Sequence, residues 1–179
     1  MHRDRSVLAA LTFAVSLAPA GAATAPPNPY IDKGACPFEC CTYRDWTTTK
    51  PITLLDKPFG KKMIASVPPG RVVHGITGNV YSSPVRTVAA ASFKVSSNDF
   101  HDASIRKGDV FYVLHYRGEG VTLIWYKGKT YQAELNPVGV TMEGPPSDGT
   151  QWWVNVRTLA GKSGWVLETD QFENQDACG

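Results

Sequence analysis

Four cysteines constrain this chain more than any other feature: Cys36, Cys40 and Cys41 crowd together near the beginning, and Cys178 is the penultimate residue. If they are oxidised, two bridges form, in one of three connectivities. Any bridge to Cys178 draws the end of the chain back to its beginning. Joining the adjacent Cys40 and Cys41 would demand a strained bridge. The spacing therefore favours Cys36 joined to Cys40 or Cys41, with the remaining one joined to Cys178. The long loop so closed contributes on the order of 4 kcal/mol in the chain-entropy account. A metal or redox role is the weaker reading: no His lies near the cluster, no second ligand pair accompanies it, and C-x-x-C is absent.

Oxidation depends on compartment. Arg3 and Arg5 precede the apolar run Val7 to Ala18, which ends at the small-residue pattern Ala20-Gly21-Ala22. That is the pattern of a secretory signal peptide over residues 1–22, and it predicts a periplasmic or secreted protein whose cysteines are disulfide-bonded. No apolar run reaches the roughly 18 residues needed to span a bilayer, so no membrane span is expected. Gly34-Ala35-Cys36 resembles the end of a lipoprotein box, but a polar, Pro-rich stretch separates it from the apolar run. Lys and Arg number 18 against 16 Asp and Glu, a balance that offers no electrostatic grip on nucleic acid.

From Thr47 onward the pattern is β. Short apolar runs such as "MIASV", "RVVHGI", "DVFYVLHY" and "VTLIWY" are separated by Gly, Pro and Lys-Gly turns, the grammar of an all-β sandwich or small barrel. The run "RVVHGI" is expected to end near Gly78-Asn79. In "QWWVNVR", alternation puts Trp152, Val154 and Val156 on one face, the core face, and Trp153, Asn155 and Arg157 on the other. "PGRVVHGITGNV" aligns with "KGDVFYVLHYRGEGV", matching Gly70, Val72 and Val73 to Gly108, Val110 and Phe111. The match suggests an internal duplication with a period near forty residues.

Two stretches resemble a known family. "LLDKPFGKKMIASVPPGRVVHGI" is similar to the first three strands of a bacterial SH3-like domain, and "WWVNVRTLAGKSGWVLE" resembles that family's closing hairpin. Together they cover about a quarter of the chain. The resemblance implies small half-open barrels, in tandem or as one barrel with a long insertion. The expected layout is a Pro/Cys-rich arm at 23–46, SH3-like modules at 47–100 and 101–171, and a Cys-bearing tail at 172–179. It also implies a non-catalytic binding or targeting role, with a cell-wall peptide or glycan, or an envelope protein, as partner.

A search for chemistry adds little. His74 and His115 lie in strands and read as packed or solvated residues. Asp99, His101 and Asp102 in "NDFHD" have the composition of a cation clasp, which keeps a metal-dependent enzyme as an alternative, but a polar turn accounts for them. Ser96, Ser97 and Ser104 have no legible base nearby. No cofactor is expected. Contact then falls to aromatic side chains, Tyr81, Tyr116, Tyr126 and Trp153, as an exposed recognition surface, with Trp125, Trp152 and Trp165 mostly in the core. A secreted inhibitor or immunity protein would have the same compact, disulfide-bonded sequence.

Overall fold

The structure, a computed structural model, describes residues 24–96, 102–118, 120–135, 140–142 and 149–178. Among these residues there are fifteen strands and no helix, so none is long and apolar enough to cross a membrane. Strands β1 (Tyr30–Lys33), β2 (Asp45–Thr48), β3 (Ile52–Leu55), β4 (Met63–Val67) and β5 (Val72–Ser82) come first. Next are β6 (Val85–Ala89), β7 (Phe93–Ser96), β8 (Asp102–Ile105), β9 (Val110–Gly118), β10 (Val121–Tyr126), β11 (Lys129–Glu134) and β12 (Val140–Met142). The chain closes with β13 (Gln151–Thr158), β14 (Ser163–Leu167) and β15 (Phe172–Glu173).

These strands form two curled sheets of one connectivity. The first runs β15-β2-β5-β13-β14-β3-β4, with β1 added on β5, and the second runs β12-β6-β9-β10-β11-β7-β8. Each strand of the second sheet has a counterpart in the first, β9 for β5 and the β10/β11 hairpin for β13/β14. The details repeat too. The Gly70 amide donates to the Thr48 carbonyl and that of Gly108 to Ala89, while the Thr48 and Ala89 amides donate to Arg71 and Asp109. Gly70 and Gly108 both have positive φ, where a side chain would be strained. A register shift falls at Asn155/Val156 in one sheet and at Leu123/Ile124 in the other. These hydrogen bonds set Gly70, Val72 and Val73 at positions equivalent to those of Gly108, Val110 and Phe111, the match read from the sequence.

The layout differs from modules at 47–100 and 101–171. The whole second sheet lies in the sequence between β5 and β13, so β6 and β7 belong with β8 to β12, and the 151–167 hairpin returns to the first sheet. The reason is the register of β13 along β5, which runs from Gln151 opposite Tyr81 to Thr158 opposite Val73. It turns Trp152, Val154 and Val156 into the first core, beside Trp46, Leu54, Val73, Val80 and Phe172. A second core gathers Phe111, Ile105, Ile124, Tyr126 and Tyr131. Trp165 is only half-buried.

Strand β5 continues to Ser82 rather than ending near Gly78. Gly78 marks close packing: a Cβ there would run into the Trp152 indole nitrogen and the Tyr43 hydroxyl. Both groups donate to the Ala35 carbonyl, the indole at 3.1 Å. Burial pushes the Tyr43 phenol up to about 12.

The bridges are Cys36 to Cys41 and Cys40 to Cys178, with Cα separations of 5.4 and 5.6 Å. Backbone bonds reinforce the second. Thr42 N donates to Gln175 O at 2.9 Å, Ala177 N to Cys40 O at 2.8 Å, and Arg44 Nε to Asn174 O at 2.9 Å. The C-terminal tail is thus stitched onto the N-terminal arm.

Candidate functional site

On the outer face of the first sheet the pairing sets out two short rows, Ile31 beside Tyr81 beside Gln151, and Lys33 beside Asn79 beside Trp153. Period-two alternation points Tyr81 and Trp153 away from the core that Val80 and Trp152 enter. The turn between β3 and β4 folds over this face. Gly60 N donates to Lys57 O at 3.0 Å, and Phe59 takes φ of 57°. The Phe59 ring comes to rest 4.9 Å from Tyr81, edge to face, and 5.0 Å from Trp153 at 50°.

This packing buries Trp153 to 6% exposure while Phe59 remains 56% exposed. Trp153 is one of the four expected contact residues. It serves instead as the floor of the cluster, because Phe59 covers its face, and its Nε1 donates to Gln151 Oε1 at 3.4 Å. Ile31, 38% exposed, extends the patch along β1. An open aromatic edge over a rigid indole floor can stack on a flat or ring-shaped ligand. Phe59 is not among the residues that the sequence singles out, because it sits between Pro58 and Gly60, where turn chemistry accounts for the local pattern. An aromatic residue inside a tight turn was the available signal.

The other two expected contact residues lie elsewhere. Tyr116 is 58% exposed on the second sheet, where its hydroxyl accepts from the Gly120 amide at 2.9 Å and braces the turn after β9. Tyr126 is buried, contrary to expectation, because β10 turns it into the second core. Its hydroxyl donates to Asp109 Oδ2 at 2.5 Å, which holds the Asp109 carboxyl below its usual range. Its sequence neighbour Trp125 faces outward, and the N-terminal arm crosses it. The Trp125 indole donates to Thr24 O at 2.7 Å, and Tyr30 meets its ring edge at 6.3 Å.

Both strand histidines carry carboxylate partners. His74 Nδ1 lies 2.9 Å from Asp45 on the exposed outer face. His115 is fully buried between the sheets, with Nε2 2.9 Å from Asp32 Oδ2 and Nδ1 2.9 Å from the Tyr116 carbonyl. Arg117 donates to the same Asp32 oxygen from Nε at 3.1 Å and Nη2 at 2.5 Å. Burial pushes the Asp32 carboxyl up, but the hydrogen bonds from His115 and Arg117 outweigh it and leave the group below its ordinary value.

For metal chemistry, Asp99 and His101 lie outside the described residues, and Asp102 opens β8 as an exposed residue. Glu39, Cys40 and Cys178 bring ligand atoms within 4.8 Å of one another, yet both sulfurs belong to one disulfide and neither is a thiolate. Compared with family models, curated proteins and solved structures, the chain matches none of them.

Proposed function

We propose that this chain is an exported, non-catalytic binding protein of the cell envelope, built on an SH3-like plan, that recognises peptidoglycan or an envelope protein. The observation that carries the reading is the Phe59, Tyr81 and Trp153 cluster, an aromatic edge standing 56% exposed above a buried indole. Burying such an edge under a ligand stabilises a complex through apolar area and ring stacking, while Trp153 needs no reordering. The signal-peptide pattern and the two bridges accord with an oxidising compartment.

Cosedimentation with purified sacculi tests the wall ligand. The wild type should pellet with sacculi and Phe59→Ala should stay in the supernatant. Equal pelleting of both would discard the aromatic surface, and no pelleting of either would discard the wall. A pull-down from envelope extracts that captures one protein stoichiometrically would favour the protein-partner version.

A further inference from the structure

A groove of about 380 Å³ opens between the end of β4, the start of β5 and the turn that joins β13 to β14. Its walls include Ala65, Pro68, Arg71, Val72, Leu159 and Lys162. Hydrogen bonds fix both turns around it. At one, the Arg71 amide donates to Thr48 Oγ1 at 3.0 Å, and that hydroxyl donates to the Pro68 carbonyl at 2.8 Å. At the other, the Thr158 amide donates to Lys162 O and the Gly161 amide to Thr158 O, each at 2.9 Å, while the Lys162 amide donates to Thr158 Oγ1 at 3.2 Å.

Three features of this groove await a partner. Leu159 stands 88% exposed at the tip of the β13/β14 turn, the most exposed large hydrophobic side chain among the described residues, and Val72 is 39% exposed. Tight turns favour small or polar residues, so the turn itself does not call for a leucine. Arg71 and Lys162 bring two positive charges. No carboxylate stands among the described residues that line the groove, and the ion pairs among the described residues include neither cation. Finally, β4 is an edge of the first sheet, paired with β3 alone, so the backbone groups along its other side have no strand partner.

We infer that this groove docks an extended acidic segment of a protein partner, which adds to the edge of β4 and presents an Asp or Glu side chain to Arg71 and Lys162. The open edge supplies main-chain hydrogen bonds, Leu159 and Val72 cover an apolar side chain of the segment, and the two cations select for negative charge. The volume lies at the small end of ligand sites, which suits a short stretch of peptide. Two cations beside an apolar lip make a local contact, unlike the broad positive fields that hold nucleic acid or an anionic membrane. Because the groove shares no residue with the Phe59, Tyr81 and Trp153 cluster, it stands or falls apart from the wall-binding reading.

The test is selection of a random hexapeptide display library on the disulfide-intact protein, followed by amide-resolved NMR titration with a selected peptide. Selected peptides should carry an Asp or Glu among alternating β-branched residues. Their shifts should centre on residues 65–72 and 158–162 and weaken as salt rises. Lys162→Gln and Leu159→Ser, exposed changes that leave the fold intact, should each raise the dissociation constant about tenfold, as loss of a charge-assisted or well-covered apolar contact does. No enriched peptide, shifts confined to other regions, or unchanged binding by both variants would overturn the site. Enriched peptides without an acidic residue would overturn the charge assignment. A dimer in sedimentation that Leu159→Ser dissolves would give the groove to a second copy of the chain, and Leu159-dependent binding to phosphatidylglycerol vesicles would give it to a membrane; either would overturn the peptide.

Discussion

His115 Nε2 stands 2.9 Å from Asp32 Oδ2 although 83 positions separate the two residues, and this contact ties the second sheet to β1 of the first. Removing the carboxylate leaves the Arg117 guanidinium without its counter-charge and the buried His115 ring without this partner. Asp32→Asn should destabilise the protein by about 3 kcal/mol, the cost of leaving buried charge uncompensated. Urea unfolding at neutral pH measures it.

The same carboxyl sets an acid limit. Its folded value lies below the unfolded value of about 3.9, so its stabilisation is fully present above that value and is lost as pH falls through the lower folded one. Urea midpoints of the wild type should therefore drop below about pH 4. Asp32→Asn should flatten that limb, and an unchanged limb would show that other groups govern it.

The two disulfides should differ in weight because they close loops of different length. Replacing both Cys40 and Cys178 with Ser opens a separation of 138 residues and should cost about 5 kcal/mol in the chain-entropy account. Replacing Cys36 and Cys41, five residues apart, should cost about 2 kcal/mol. Denaturation of the two double variants compares them directly.

Gly118→Ala places a Cβ against the Glu39 backbone at a φ of 95°. Neither backbone can retreat cheaply, so the change should cost about 3 kcal/mol and loosen the packing of β9 on the Cys-rich arm. Hydrogen exchange should show faster exchange at residues 38–41 than in the wild type.

Two aromatic substitutions separate contact from core. Phe59→Ala should cost no more than about 1.5 kcal/mol in stability, since the ring is more than half exposed, yet remove sacculus binding. Tyr126→Phe should cost about 1 kcal/mol, the hydrogen bond to Asp109, and leave binding intact. Loss of binding in Tyr126→Phe at unchanged stability would mean that the second sheet takes part.

Local chemistry determined a good deal in the sequence. Alternation put Trp152, Val154 and Val156 in the core, and positive-φ glycines at Gly70 and Gly108 announced the turns before β5 and β9. The cysteine pattern confined the bridges to a short menu that contains the observed pair. These signals are readable because period, turn geometry and adjacent-cysteine strain are properties of neighbouring residues. What only the tertiary structure decided depends on pairing across long separations. Which sheet the 151–167 hairpin joins was settled by its register on β5, and the fate of Trp153 by a Phe59 ring brought over from a distant turn. The Asp32, His115 and Arg117 cluster arises only when β1 meets β9, and no spacing along the chain encodes that meeting.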